Sequence, residues 1–552
     1  MRRLPHPITG MIYTDLGEGR VRVEDQNTGE YGIFRWDGLW LEGDMTQADL
    51  HYLVHVGGQN LPEGRDIYWA MLPTTQSPDE GQGGPDYASR FSTDKKAPPP
   101  PPVIGKFIGD PGQETEMGAR SSSHVDLEYI LKNDRHPERV PDVYWLESPM
   151  SGGPTRIPTA RFHDRKYHDL EVERLWKRTW QMACREDDIP EVGDYHIYEI
   201  ASLSFIIVRT GKNEFKAHYN ACLHRGRILK EMDGKGAKEL RCPFHGWTWD
   251  LDGGLKHLTC EWDLPGVAGD VGQLPGAKVG TWGGFIFINP DMDAEPLEEF
   301  LGPVMMAHYE KFKLENRYKH AHVRKTVKAN WKVAQEAFME AYHIAATHPQ
   351  LLLIGGDSAD VRYDVFGNWG RAQHVSPPAS SPHRGILKTR EEVLARWRAS
   401  ADANAKYLRS LIGDEVDLYS DAELNDSCFN DLFPNMHPWG GWARIVFRFR
   451  PLGDDPDYCQ MEVMLLAPWP EGKEKPAPAK VHELRSDQKW CDAPEIGTLA
   501  RILDQDSMNM ANVHKGMKTK QPPYVWYTAY QEGKIRNFHE NYRKKLELGE
   551  DE

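Results

Sequence analysis

The 552-residue sequence predicts a multidomain chain. A small β-rich module (residues 1–72) and a Pro/Gly-rich linker (73–150) precede an α+β domain built from 151–184 and 293–552. An all-β unit (185–292) is set within that domain. Three observations predict this. Five consecutive prolines, Pro98 to Pro102, close a stretch of low hydrophobicity, which marks a stiff linker. Short alternating apolar segments ending in turn residues dominate 185–292, as strands do. Beyond 293, helical and strand periodicities occur in separate runs, the pattern of helices laid against an antiparallel sheet.

In the leading module, "RVRVED" and "EYGIFRW" read as strands around the turn "QNTG". "DLEVERLWKRTW" carries apolar residues at steps of three and four and predicts a helix. "GDYHIYEI", "LSFIIVRT" and "GGFIFINPD" predict strands, and Asp252-Gly253-Gly254 predicts a hairpin turn. In the last domain, helices are expected over 296–313, 331–347, 389–412 and 493–517, and strands over 317–328, 442–450 and 459–467. Residues 349–387 show no strong period, and a loop of that length is usually functional or disordered.

Composition narrows the function. The chain is 39% hydrophobic and 27% charged, with a net charge of −16, which argues against nucleic-acid binding. No apolar run is long enough to span a membrane, and "MRRLPHPITG" lacks the apolar core of a secretory signal. The 7 cysteines are scattered and odd in number, which does not suit a disulfide framework and points to a reducing cytoplasm.

Two cysteines nevertheless sit in matched company. In Cys222-Leu-His224-Arg-Gly and Cys242-Pro-Phe-His245-Gly-Trp, His224 and Cys242 are separated by residues 225–241. Two thiolates and two imidazoles on two loops could hold one tetrahedral zinc ion. They could instead hold a two-iron, two-sulfide cluster, one iron on sulfur and the other on nitrogen, and Cys-x-His is tighter than the usual pair spacing of a structural zinc site. Further on, "NWKVAQEAFMEAYHIAATHP" offers Glu336, Glu340, His343 and His348. The first three fall on one face of a helix. His343 and His348 lie about 140° apart around an ideal helix, but Pro349 disfavours helix at His348, so the helix is expected to distort there. Two histidines and one carboxylate would leave an Fe(II) ion with open positions. "ILDQDSMNMANVHKGM" supplies Asp504 and Asp506 as candidate acids.

These segments resemble the Rieske non-haem iron oxygenases, in their terminal oxygenase (α) subunit of the aromatic-ring-hydroxylating type, over about residues 155–525. The loops resemble Rieske boxes. Respiratory Rieske proteins carry an extra cysteine in each loop; Arg227 and Phe244 stand at those places here. The run Asn330-Trp331-Lys332, Glu340-x-Tyr342-His343, His348 resembles the family's catalytic motif. His514-Lys-Gly516-Met517 matches a late segment of the family, and counting back eight from it selects Asp506 over Asp504.

The resemblance implies a Rieske domain and a helix-grip catalytic domain. Cys222, His224, Cys242 and His245 would ligate the [2Fe-2S] cluster, and His343, His348 and Asp506 would ligate Fe(II). Glu340, where many members carry aspartate, would bridge the two centres across a subunit boundary, with Glu336 as the next candidate. Electrons would come from NAD(P)H through a ferredoxin or flavin reductase, in a homotrimer with or without β subunits. With O2, the protein would hydroxylate or cis-dihydroxylate a small apolar or aromatic substrate, its pocket drawn from Leu351, Leu352, Leu353, Ile354, Phe366, Trp369, Phe429, Phe433 and Met436. An oxygenase of amines or side chains, a Rieske electron carrier and a zinc-binding interaction protein are the competing readings. The first 150 residues do not match the usual start of the family.

Overall fold

A computed structural model describes residues 2–58, 127–148, 152–353, 357–358, 361–374, 389–426, 428–470 and 472–549. The proline run and Ile354 lie outside these residues.

The leading module is a meander of β1 (Arg3–Pro5), β2 (Ile12–Gly17), β3 (Arg20–Glu24), β4 (Tyr31–Arg35) and β5 (Trp40–Gly43), followed by α1 (Leu50–Gly57). Because strand side chains alternate, Val21 and Val23 point to the same side as Tyr13 and Phe34. There they bury Tyr52, Leu53 and Val56 of α1. The Asp49 side chain accepts from Tyr52 N at 2.8 Å and caps the helix.

Residues 127–148, expected as the end of the linker, instead carry α2 (Leu127–Lys132) and two short turns. Leu127, Ile130, Val143 and Tyr144 bury against Val393, Leu394 and Trp397. A composition-based linker boundary overlooked this because its apolar residues are few, although most of them face inward.

The all-β unit is a six-stranded sheet in the order β7-β15-β14-β10-β9-β8. Its strands are β7 (Gln181–Arg185), β8 (Tyr195–Ile200), β9 (Leu203–Gly211), β10 (Glu214–Tyr219), β14 (Gly276–Trp282) and β15 (Phe285–Asn289). A smaller sheet joins β11 (Leu240–Arg241), β12 (Thr248–Trp249) and β13 (Leu255–His257). β12 and β13 meet through the expected hairpin, with Gly253 at φ +90°. A further pair, β6 (Thr155–Pro158) and β24 (Tyr524–Tyr527), ties the two ends of the α+β domain together.

The α+β domain centres on an eight-stranded sheet, β17-β18-β19-β20-β21-β22-β16-β23. These are β16 (Arg317–Val327), β17 (Val361–Phe366), β18 (Trp369–His374), β19 (Phe429–Leu432), β20 (Met436–Pro438), β21 (Ile445–Leu452), β22 (Asp455–Pro468) and β23 (His482–Leu484). Both faces are covered. Phe447, Phe449 and Val463 pack with α3 (Trp331–Glu336), α6 (Leu499–Met517) and α7 (Gly533–Leu546). Val446 and Met464, one residue out of phase, pack on the other side with Ala401 and Leu408 of α5 (Arg390–Ile412). The hairpin β17–β18 lies within 349–387, where no period is visible in the sequence.

A buried ionic knot joins the two units. Glu462 is flanked by Arg448, by Arg450 at 2.6 Å and by Arg324 at 2.9 Å. Arg448 Nη1 also donates to the carbonyls of Met182 and Ala183 on β7, at 2.9 and 2.6 Å. No helix among the described residues is long and apolar enough to cross a membrane.

Candidate metal centres

The two Cys/His loops have the same backbone. Gly226 N donates to Cys222 O at 2.9 Å and Cys222 N to Arg227 O at 2.9 Å. Likewise Gly246 N donates to Cys242 O at 3.1 Å and Cys242 N to Trp247 O at 2.8 Å. Each turn closes through a glycine in the left-handed region, Gly226 at φ +73° and Gly246 at φ +80°. The thiols of Cys222 and Cys242 touch and are buried. The two imidazoles pair separately, His224 Nδ1 to His245 Nδ1 at 3.1 Å, and His224 is exposed. Trp247 stacks on His224, with ring centroids 4.7 Å apart and 18° between planes.

This donor set suits a two-iron cluster. Sulfur donors sit together and nitrogen donors sit together. Among the described residues, the four atoms do not make a single-ion group of three or more donors. Burial, ahead of contact with Cys242, pushes the Cys222 thiol up, so holding both sulfurs as thiolates calls for a metal cation beside them.

The second centre is at the junction of α6 with the segment after α3. The single helix expected over 331–347 is broken. α3 ends at Glu336, turns follow, and α4 (Ile344–Thr347) begins with His343 as its N-cap residue and ends with His348 as its C-cap. His348 has φ −126° and ψ 54°, outside the helical region that Pro349 disfavours. The break separates Glu336 from Glu340. Glu336 turns to Tyr527 Oη (2.7 Å) and His539 Nε2 (2.8 Å). Glu340 Oε1 meets His343 Nδ1 at 2.6 Å, and its Oε2 accepts from His343 N at 3.0 Å.

Asp506 Oδ1 lies 2.8 Å from His348 Nε2 and 3.6 Å from His343 Nε2. All three donor atoms fall within 4.8 Å of one another. Neighbouring ligands about 2.1 Å from one ion stand roughly 3 Å apart, so one ion fits. Both other ring nitrogens are already held, His343 Nδ1 by Glu340 and His348 Nδ1 by Gln505 Oε1 at 2.9 Å. Each Nε2 is thereby turned to the same point, the arrangement expected of metal-bound histidine. Burial lowers the His343 pKa, yet the Glu340 carboxylate, and after it Asp506, outweigh this and raise it to about 9. The acids around this point therefore favour positive charge there.

Asp504, the alternative acid, faces away and accepts from Trp490 N at 2.8 Å. Of the apolar residues expected to line a pocket, Leu351, Leu352 and Phe429 share a cluster with Ala341 and Ile344, which flank His343. Trp369 and Met436 lie instead in the core on the α5 side, and Phe433 in the main core. Tyr363, Trp439 and Tyr530 join the cluster beside His343. The sequence did not mark them, because their positions come from three separate segments. Gln505 was also unmarked, although its place next to Asp506 is a signal that a buried polar neighbour orients a ligand.

Comparison with known proteins identifies the class. Residues 179–268 match the Rieske [2Fe-2S] domain, and 306–548 match the ring hydroxylating alpha subunit (catalytic domain). The chain belongs to the Rieske non-haem iron oxygenase α-subunit family. It is 30% identical over 330 residues to the salicylate 5-hydroxylase large oxygenase component of Ralstonia sp, covering 56% of this chain and 71% of that one. It is 31% identical over 221 residues to the carnitine monooxygenase oxygenase subunit of Escherichia coli K12, covering 39% of this chain and 57% of that subunit's length. Among solved structures, the quaternary ammonium Rieske monooxygenase CntA with an inhibitor superposes with a TM-score of 0.52 at 17% identity, over 70% of this chain and 94% of that one. That likeness concerns the fold.

Proposed function

We propose that this chain is the terminal oxygenase component of a Rieske oxygenase system, which uses O2 to hydroxylate or cis-dihydroxylate an apolar, aromatic substrate. The observation that carries this reading is the convergence of two Nε2 atoms and one carboxylate oxygen on one point, in a chain that also pairs two buried thiols with two imidazoles. Cys222 and Cys242 would hold one iron of the [2Fe-2S] cluster, and His224 and His245 the other. His343, His348 and Asp506 would hold Fe(II). When bound, the cluster delivers electrons singly and the ferrous ion offers open positions to O2 and substrate.

The protein's own groups do the rest. Glu340 orients His343 and, in a ring-shaped homotrimer with or without β subunits, faces a cluster histidine of the neighbouring chain. His224, exposed beside Trp247, marks the edge at which electrons enter and leave. A ferredoxin or flavin reductase supplies them from NAD(P)H in the cytoplasm. Leu352, Tyr363 and Phe429 form an apolar wall near His343 that keeps water out and suits an aromatic substrate.

A second reading, oxidative attack on an amine or side chain, draws support from the likeness to carnitine monooxygenase. Oxygen uptake with a generic ferredoxin and reductase, screened over monocyclic aromatics and quaternary amines, separates the two. Uptake with amines alone would move the proposal to the second. Colourless protein holding only zinc, or cluster reduction without oxygen uptake for any substrate, would reject both.

A further inference from the structure

We infer that the N-terminal module is a working part of the mononuclear metal centre: through Gln505 it sets which nitrogen of His348 is available to the metal. The inference rests on the ligand assignment above. α1 lies on α6, and the two are joined by two side-chain-to-carbonyl hydrogen bonds. Gln505 Nε2 donates to His51 O at 2.7 Å, and Arg501 Nη1 donates to His55 O at 3.1 Å. Ile8 packs into the cluster that flanks His343. Lys489 Nζ lies 3.1 Å above the Trp36 ring. The His51 ring is close enough to His348, Asp506 and His343 to feel their charges.

Gln505 is fully buried and has two ends of opposite character. Its Oε1 accepts from His348 Nδ1 at 2.9 Å and from Gln350 Nε2 at 2.7 Å. A backbone carbonyl can only accept, so His51 O fixes the amide with NH2 toward α1 and oxygen toward His348. A His348 ring that donates from Nδ1 keeps the lone pair on Nε2, the atom 2.8 Å from Asp506 Oδ1. Without His51 O, the buried NH2 is left with the longer bond to Gln350 Oε1 at 3.3 Å, and the amide is free to flip. A flipped amide would present NH2 to Nδ1, drive the ring proton to Nε2 and block the metal. α1 is held to its sheet by the Tyr52 hydroxyl, which donates to Pro5 O at 2.7 Å, and by the burial of Tyr52, Leu53 and Val56. Docking of the whole module thus decides a tautomer.

The test uses the full-length protein with its cluster in place, and anaerobic titration of the second site with Fe(II). The nitric oxide complex, followed by EPR, reports on histidine ligation at that site. Gln505→Leu removes the amide, and Ile8→Asp undocks the module at a residue that is not itself a candidate ligand. We expect each to weaken Fe(II) binding about 10- to 100-fold, the usual effect of losing a group that orients a metal ligand, with the cluster spectrum unchanged. The double variant should be no weaker than Gln505→Leu alone. Should Ile8→Asp fail to fold, Trp36→Ala carries the same test. Wild-type affinity in the undocked protein, or additive losses in the double variant, would overturn the inference. A wild-type chain that binds no Fe(II) at a second site would instead overturn the ligand assignment itself.

Discussion

His348 Nε2 lies 2.8 Å from Asp506 Oδ1, although the two residues are 158 positions apart. Neither has a local reason to face the other. His348 is freed from α4 by Pro349, and Asp506 is presented from the middle of α6. Removing the acid therefore has a specific expected result. Asp506→Ala should lower iron from about three per chain to about two, because the cluster keeps its own pair. Metal analysis together with the visible spectrum checks this. A variant that retains three irons would exclude Asp506 as a ligand.

Glu340 spends both carboxylate oxygens on His343. At saturating Fe(II), Glu340→Ala should keep both metal centres and lose coupled turnover by at least about 100-fold. Stopped-flow reoxidation of the reduced cluster should slow in parallel. If the rates match wild type, Glu340 has no part in electron transfer.

The two loop glycines should differ in their tolerance of a side chain. A Cβ at Gly226 meets nothing within 4 Å, whereas one at Gly246 comes 3.1 Å from Thr259 Oγ1. Gly226→Ala should cost only the left-handed backbone penalty, about 1–2 kcal/mol. Gly246→Ala adds a tight contact with Thr259 Oγ1, which donates to His245 O at 2.6 Å, and should lower cluster occupancy more. Cluster absorbance per protein after expression under iron-replete conditions measures both, and equal losses would contradict the packing argument.

Glu336 gives a pH prediction. Burial raises its carboxyl to about 8, against the opposing pull of Tyr527 and Lys332. A folded-state pKa above the unfolded one contributes stability below the unfolded value, near 4.3, and loses it as pH rises through about 8. Wild-type stability should therefore fall between pH 5 and 8.5 relative to Glu336→Gln, which cannot ionise. Urea unfolding at the two pH values tests it. Parallel curves for the two proteins would mean that the carboxyl is ionised throughout.

Much of the candidate site can be read from local sequence, because the signals are local. Cysteine and histidine within three residues of each other, a proline directly after His348, and strands marked by alternation all act over one turn or one pleat. The continuous helix expected over 331–347 is where this logic ran out. Periodicity placed Glu336, Glu340 and His343 on one face, yet tertiary contacts broke the helix and sent Glu336 to Tyr527 and His539.

What the amino-acid order determined by itself is the set of donors: two thiols, four imidazoles and the acids from which Asp506 comes. What only the folded chain decided is orientation. Which nitrogen of His348 faces Asp506 depends on Gln505, and Gln505 in turn depends on a backbone carbonyl from a module that the composition presents as a separate piece. Donor identity is a property of single residues, whereas a hydrogen-bond direction is a property of partners hundreds of positions apart.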